Sequence, residues 1–224
     1  MAGRFGCSLL DVGCWVFGVK GNKTHAAPTV SGGLKHWMGL FVVLFLAAGS
    51  PAGAWQRGLP PSEGIINFGK VNDSLYRGAQ PDAVGIRNLK KLGVKTILNL
   101  RMTNDVWSAE ESEAHANGLI YTNVPMTGIG RPTPEQVAKA LALIETLPSP
   151  VFVHCRCGCD RAGTIVACYR IKHYQWTSEE ALQEAKHYGI SMFAWGMKKF
   201  IVDFGKASHE VTAAPSLHPP VLAQ

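Results

Sequence analysis

Short apolar runs alternate with amphipathic stretches from about residue 65 to residue 204. The apolar runs are rich in Val, Ile and Leu and are bounded by Gly, Pro, Asn or Asp, a pattern that is typical of β-strands. We therefore predict short strands at these runs. They are Ile65–Val71, Ser74–Gly78, Val94–Leu100, Leu119–Val124 and Pro150–His154.

Helix start and stop signals lie between the predicted strands. Thr133 is a candidate N-cap, with a proline at the first helical position and Gln136 closing a capping box. Ser108 with Glu111 fits a second capping box. The predicted helices are Asp82–Leu92, a segment between Ser108 and Gly118, Thr133–Leu147, a segment after Gly163, Ser178–His187 and Met192–Phe204.

This order of elements predicts the fold class. Strands that alternate with helices indicate an α/β fold with a central, mainly parallel sheet flanked by helices. Ligands of such sheets bind at the carboxyl ends of the strands. The loop that follows Val153 is therefore the first place to look for a functional site.

Composition narrows the class of protein further. Hydrophobic residues make up 46% of the chain and charged residues 17%, which indicates a globular rather than a disordered protein. The net charge of +6 suits anionic substrates. No block of Lys and Arg is interleaved with aromatic residues, so we expect no nucleic-acid partner.

The N-terminal part of the chain carries a targeting pattern. Lys35 and His36 precede the apolar run Trp37–Ala48, and small residues follow as far as Ala54. A basic start, a short apolar stretch and small residues predict a secretory signal peptide with cleavage after Ala54. The alternative is an uncleaved membrane anchor at residues 37–49, although that run falls short of the roughly 20 residues that span a bilayer.

These boundaries divide the chain into three parts. Residues 1–54 form an N-terminal extension with the signal peptide at about 35–54, and residues 55–205 form the domain that carries the chemistry. Residues 206–224 include Pro215, Pro219 and Pro220 and are predicted to be a disordered tail. We expect the mature protein to be exported, either to a periplasm or out of the cell.

Residues 153–164, V-H-C-R-C-G-C-D-R-A-G-T, lie between a predicted strand and a helix N-terminus. Backbone N–H groups and the helix dipole favour an anion at that position. Cys155 at the start of the loop would have a stabilised thiolate, which is a nucleophile near neutral pH. Arg161 follows six residues later, and its planar fork matches two phosphate oxygens.

His154, Cys155 and Arg161, with five residues between the last two, resemble the signature of the protein tyrosine and dual-specificity phosphatases. The segments Leu75–Pro81 and Ile97–Arg101 resemble the compact atypical members from bacteria, plants and fungi. The resemblance implies a tyrosine-phosphatase-like fold and a phosphocysteine intermediate at Cys155 that water hydrolyses. It implies that His154 supports the loop and that no metal or other cofactor takes part. The residues implied to cradle the phosphate are Arg156, Cys157, Gly158, Cys159, Asp160 and Arg161.

The chain departs from the family pattern at two positions. Ala162 stands where the family usually has Ser or Thr, whose hydroxyl helps the thiolate leave in the second step. The segment Met126–Gly130 holds no acid where the family usually has its catalytic aspartate. Asp160, placed as in the myotubularin-like phosphatases, is then the candidate general acid, and Asp105 and Glu135 are reserves. Asp160 could instead only form an ion pair with a neighbouring arginine.

Several functions remain open at this point. The main interpretation is a phosphatase that acts on a phosphorylated protein or a small phosphorylated molecule, with phosphotyrosine-type monoesters favoured. The alternatives are an inositol phosphate or phosphoinositide phosphatase and a phosphate-binding pseudophosphatase. A zinc site at the loop cysteines is not expected, because zinc ligands are spaced further apart and need a second cluster.

N-terminal sequencing of the native protein tests the targeting prediction. Cleavage after Ala54 gives a mature chain that begins at Trp55. A mature chain that retains residues 37–49 would contradict the cleavage and would instead support the membrane anchor.

Overall fold

The structure is a computed structural model that describes residues 58–213, with side chains described as far as residue 208. The predicted signal peptide, the cleavage site at Ala54 and the alternative anchor at residues 37–49 lie outside the described residues, as does the predicted tail from residue 214 onward. Within residues 58–213, no helix combines the length and the apolar character that a membrane span requires.

Five strands form one sheet in the order β1-β2-β5-β3-β4. Strand β1 is antiparallel to β2, and the other neighbours are parallel, which confirms the predicted mainly parallel sheet. Strand β5 lies in the middle, between β2 and β3. The strands are β1 (Gly69–Asn72), β2 (Leu75–Gly78), β3 (Thr96–Asn99), β4 (Ile120–Asn123) and β5 (Val151–His154).

Six helices are described, and three of them begin where the sequence signals place them. Asp82 caps the first by accepting a hydrogen bond from the Gly85 amide, and Thr133 with Gln136 forms the predicted capping box. The helices are α1 (Ala83–Lys91), α2 (Glu110–Ala116), α3 (Pro134–Thr146), α4 (Asp160–Tyr174), α5 (Ser178–His187) and α6 (Trp195–Ala213).

The predicted starts of α2 and α4 are wrong. The Ser108–Glu111 capping box does not form, because α2 begins at Glu110 and its N-cap residue Ala109 makes no side-chain cap. Helix α4 begins at Asp160 rather than after Gly163, since the Gly163 amide already donates to the Cys159 carbonyl.

Helix α6 differs from its prediction at both ends. It starts at Trp195 rather than Met192, because Ser191–Ala194 forms a turn in which the Ala194 amide bonds to the Ser191 carbonyl. It continues to Ala213, beyond the boundary predicted at residue 205, because the first proline of the tail is Pro215. The first part of the predicted disordered tail is therefore helical.

Side chains from both faces of the sheet are buried. Alternation along β5 points Val151 and Val153 to the face covered by α3 and α4, whereas Phe152 points to the face covered by α1 and α2. Leu98 and Ile97 of β3 divide between the two faces in the same way. The central strands are thus enclosed on both sides, and their carboxyl ends are held in fixed positions.

Replacement of Phe152 tests this account of the core. Phe152 is fully buried and stacks on His154 with ring centroids 5.5 Å apart. Phe152→Ala is expected to lower the free energy of unfolding by about 3–5 kcal/mol, measured by chemical denaturation, since it leaves a cavity. Phe193→Ala, at a side chain that is 53% exposed, is the control and should change stability by about 0.5 kcal/mol or less. Equal losses in the two variants would contradict the assignment.

Candidate active site

Cys155 lies at the carboxyl end of the central strand, directly after β5. It is 2% exposed and is a free thiol. The following residues, 156–159, form a loop that leads into the first turn of α4. The sequence therefore places a cysteine where the parallel sheet and a helix N-terminus meet, and both favour an anion there.

The carbonyl groups of this loop are all bonded to the surrounding protein. The pairs are Gln80 N to Arg156 O (3.2 Å), Asn67 Nδ2 to Cys157 O (3.3 Å), Arg77 Nη2 to Gly158 O (2.8 Å) and Gly163 N to Cys159 O (3.0 Å). In a trans peptide the N–H points away from the preceding carbonyl. The amides of residues 157–160 therefore face the inside of the loop, where they can bind a phosphate.

Gly158 is required by the shape of the loop. Its φ is +71°, in the left-handed region, and a Cβ at this position would lie 2.5 Å from the carbonyl carbon of Gly78. The loop thus lies directly on the end of β2. Only glycine combines this backbone conformation with this close approach.

Asn67 supports the loop from below. It is fully buried with φ 57°, a conformation that Asn tolerates better than most residues. Its Oδ1 accepts from the Leu59 amide at 2.8 Å, and its Nδ2 donates to the Tyr188 carbonyl at 2.9 Å. The same Nδ2 lies 3.4 Å from Cys159 Sγ. Asn67 therefore joins three parts of the chain: the segment before β1, the end of α5, and residues 156–159, which we call the catalytic loop.

His154 is held by a buried carboxylate. Its Nε2 lies 2.8 Å from Oε1 of Glu110, at ion-pair distance though not aligned as a linear hydrogen bond, and both side chains are fully buried. The other Glu110 oxygen accepts from Asn99 Nδ2 at 2.7 Å. Burial alone would raise the pKa of Glu110, but the charge of His154 and donors on neighbouring side chains hold it below its usual value. Glu110 thus fixes the ring next to Cys155.

Arg161 lies in the first turn of α4 and is 6% exposed. Its Nη1 donates to the Met126 carbonyl at 3.3 Å. Its buried Nε finds no hydrogen-bond acceptor among residues 58–213. A buried donor without an acceptor is rare in proteins, and here it suits a guanidinium that binds an anion.

Asp160, the candidate general acid, is the first residue of α4 and is 6% exposed. Its Oδ1 accepts a hydrogen bond from the Ser191 amide at 2.6 Å. This bond ties the turn between α5 and α6 to the catalytic loop. Asp160 therefore has a positioning contact in addition to any role in proton transfer.

The two reserve candidates for the acid are held as carboxylates. Asp105 forms an ion pair with Arg101 at 2.8 Å. Burial would raise the pKa of Asp105, but Arg101, together with the charges of Arg161 and Arg156, holds it below its usual value. Hydrogen bonds from its own amide and from Thr133 lower the pKa of Glu135. Both shifts favour the deprotonated form and so disfavour these residues as proton donors.

The hydroxyl that the family usually has after the arginine is not replaced by Thr164. Thr164 Oγ1 donates to the Asp160 carbonyl one turn earlier at 2.8 Å. Ala162 itself is fully buried. In the described part of the chain, no group of three or more His, Cys, Asp or Glu side chains is arranged to hold a metal ion.

Exposed apolar side chains border the site; we call them the apolar rim. The turn bonded to Asp160 carries Met192 and Phe193, which are 69% and 53% exposed, and Trp195 at the start of α6 is 73% exposed. Gly196 lies against the backbone of Arg131, in the loop that follows Met126. That loop also carries Ile129, which is exposed. Because Arg161 bonds to Met126 and Asp160 to Ser191, both segments lie next to the catalytic loop.

The structure brings most of the predicted site residues together. Cys155, Arg161 and His154 meet at one loop, whereas Asp160 makes the contact with Ser191 described above. Sequence reasoning missed Asn67 and Glu110. Asn67 and Glu110 reach the site only through tertiary packing. Asn99, the partner of Glu110, by contrast lies in a motif at the end of a predicted strand.

Comparison with known proteins gives a consistent set of matches. The family described as "DSP-PTPase phosphatase fused to NAD+ Kinase" matches residues 62–203. OCA1 of Mycosarcoma maydis is 32% identical over 54% of this chain and 79% of that protein. The dual specificity protein phosphatase TpbA of Pseudomonas aeruginosa is 30% identical over 61% of this chain and 60% of that protein.

Two further matches bear on substrate and fold. The inositol diphosphatase DSP5 of Arabidopsis thaliana is 28% identical over 62% of this chain and 69% of that protein. The crystal structure of TpbA in complex with pTyr covers 72% of this chain and 98% of its own, with a TM-score of 0.56 and 24% identity. That structure shares the fold described here.

Replacement of Gly158 tests the shape of the loop. Gly158→Ala strains a backbone with positive φ and drives a methyl group into Gly78, so we expect at least a tenfold loss of kcat/KM, equivalent to about 1.4 kcal/mol. Gly128→Ala is the matched control, because a Cβ there meets nothing within 4 Å and φ is not positive. Activity retained in Gly158→Ala, measured with p-nitrophenyl phosphate, would show that the loop has another conformation.

Proposed function

The chain belongs to the family of dual-specificity and tyrosine-type phosphatases, and we propose that it hydrolyses aryl phosphate monoesters, phosphotyrosine among them, with Cys155 as the nucleophile. One observation carries this proposal: a buried thiol lies at the base of a loop whose amides face inward, and Arg161 lies beside that loop. This arrangement supports both binding of a phosphate and in-line attack on it.

The reaction follows from the groups present. The amides of residues 157–160 and the fork of Arg161 bind the non-bridging oxygens of the phosphate. The Cys155 thiolate attacks phosphorus, and the bond from phosphorus to the ester oxygen breaks as the leaving group takes a proton from the acid. Water then attacks the phosphocysteine and returns a proton to the acid, the thiolate leaves, and inorganic phosphate is released.

Asp160 remains our candidate for the acid. It directly precedes Arg161, and the charges around the reserve candidate Asp105 keep that residue deprotonated. The hydrogen bond from the Ser191 amide fixes one Asp160 oxygen and so orients the carboxyl group. An asparagine can accept the same bond, so Asp160→Asn removes the proton while the positioning contact remains.

The apolar rim supports an aryl substrate. An aromatic ring next to the phosphate would contact Met192, Phe193 or Trp195, which are mostly exposed in the structure. A second candidate substrate is an inositol phosphate, because DSP5 is described as an inositol diphosphatase and the exposed Arg156 adds positive charge at the loop. Comparison of the two substrates tests whether the apolar rim or Arg156 decides the substrate preference.

We further propose that the protein is exported. The apolar run Trp37–Ala48 and the small residues before Trp55 support this location. The sequencing experiment described above is its test.

Turnover of p-nitrophenyl phosphate under reducing conditions with a chelator tests the chemistry. We expect metal-independent turnover that is abolished in Cys155→Ser and lowered by orders of magnitude in Arg161→Lys, because lysine lacks the planar fork. Absence of product from the wild-type chain would favour a phosphate-binding pseudophosphatase. A single burst of product without turnover would place the limiting step at Ala162, which lacks the family's hydroxyl.

The same assay identifies the acid and the substrate. Asp160→Asn should lose about 10²–10⁴-fold with phosphotyrosine and far less with p-nitrophenyl phosphate, whose leaving group departs without a proton. Equal losses with both substrates would show that Asp160 only positions the loop. Higher kcat/KM for an inositol phosphate than for a phosphotyrosine peptide would contradict the aryl proposal.

A further inference from the structure

Arg77 of β2 is fully buried and is one of the largest buried side chains in the described residues. It pairs in register with Val153 of β5, two residues before Cys155. Its Nη2 lies 3.5 Å from the position that a Cβ on Gly163 of α4 would occupy. The guanidinium therefore lies beneath the catalytic loop, enclosed by the sheet and by α4. Burial of a charged group is unfavourable unless other interactions compensate for it.

The contacts of Arg77 compensate for its charge only in part. Nη2 donates to the Gly158 carbonyl at 2.8 Å, and Cζ lies 3.7 Å from the centroid of the Tyr188 ring. Nε and Nη1 find no acceptor among residues 58–213, and no carboxylate of those residues forms an ion pair with Arg77. Glu184, the acid that acts on it, is already paired with Arg170 at 2.9 Å.

Electrostatic interactions connect Arg77 to the nucleophile. Burial lowers the pKa of Arg77, and the charges of Glu184, Tyr188, Cys155 and Cys159 act in the opposite direction. A positive charge close to a cysteine generally stabilises its thiolate, and Arg77 donates to the loop that follows Cys155.

We propose that Arg77 is a positioning residue that holds the Gly158 carbonyl on the outside of the loop and supplies a buried positive charge beneath the Cys155 thiolate and the bound phosphate. The proposal rests on the proposed function. The proposal gives the partly compensated charge of Arg77 a role. A phosphate dianion above the loop and a thiolate within it are anions that would balance this positive charge.

Other charged groups also face the thiolate and must be separated from this effect. Arg161 and Asp160 approach from the first turn of α4, and Arg156 lies on the exposed side of the loop. His154 is paired with Glu110, and Asp105 is paired with Arg101. Arg77 differs from Arg161, the other buried arginine of the site, because it is fully buried and donates to the Gly158 carbonyl on the outside of the loop.

The incomplete compensation makes a specific prediction about stability. A buried charge without an opposite charge beside it carries a desolvation cost that an apolar side chain of similar length does not. Arg77→Met should therefore retain or raise the melting temperature while it lowers activity. A residue that only held the fold together would lose both at once.

Three measurements on the full chain test this. Arg77→Met should lower kcat/KM for p-nitrophenyl phosphate by about 10- to 100-fold, the range expected for a charged hydrogen bond. Alkylation of Cys155 by iodoacetamide, followed by mass spectrometry of its peptide, should slow more at pH 6 than at pH 9. The rise in melting temperature that inorganic phosphate gives the wild-type protein should shrink.

Two further variants separate charge from packing. Arg77→Lys keeps the charge but lacks the fork, so alkylation at pH 6 should be retained better than in Arg77→Met. Arg170→Met removes a similar side chain that is paired with Glu184, so it should lower the melting temperature and leave kcat/KM within about twofold.

The outcomes are distinct. Wild-type alkylation and phosphate binding in a folded Arg77→Met variant would overturn the proposal. If Arg77→Met does not fold, Arg77→Lys carries the test: loss of the fork must weaken the stabilisation by inorganic phosphate, and a wild-type shift in melting temperature there would overturn the positioning role. Alkylation and phosphate binding need no turnover, so they test Arg77 even if the wild-type chain proves to be a pseudophosphatase and the proposed function fails.

Discussion

The structure of the site depends on one constraint, which is that each carbonyl of residues 156–159 bonds to a donor outside the loop. The donors come from four different segments: Asn67 before β1, Arg77 in β2, the Gln80 amide after β2 and the Gly163 amide in α4. Because the peptide is planar, fixing the carbonyls also fixes the amides. The phosphate cradle is therefore a property of the surrounding fold rather than of the loop alone.

The fold stabilises charge near Cys155 in two contrasting ways. His154 and Glu110 form a fully buried pair at ion-pair distance, and the carboxylate orients the imidazole ring. Arg77 has a carbonyl and an aromatic ring as partners, and its positive charge is compensated only in part. A buried charge such as that of Arg77 lowers stability, and functional sites often contain groups that lower stability in this way.

The sequence predicted those parts of the site that are local in the chain. Cys155, Arg161 and the glycine between them follow from a strand, a tight turn and a helix N-terminus within about ten residues, and the parallel sheet follows from the alternation of elements. The role of Glu110 could not be read in this way. Its position near Ser108 and Glu111 suggested a helix cap, but the side chain turns inward because His154, 44 positions along the chain, offers it a buried partner. Asn67 is similar, since three of its four contacts come from distant segments.

The segment from Tyr188 to Gly196 joins the base of the site to its apolar rim. Tyr188 packs on Arg77 and accepts from Asn67, so it lies beneath the catalytic loop. Three residues later the Ser191 amide bonds to Asp160, and the exposed Met192 and Phe193 follow at once. A substrate that contacts these exposed side chains therefore acts on a segment that also positions the candidate acid and the buried cation. One short segment therefore contacts the base of the catalytic loop, bonds to the candidate acid and carries the apolar rim.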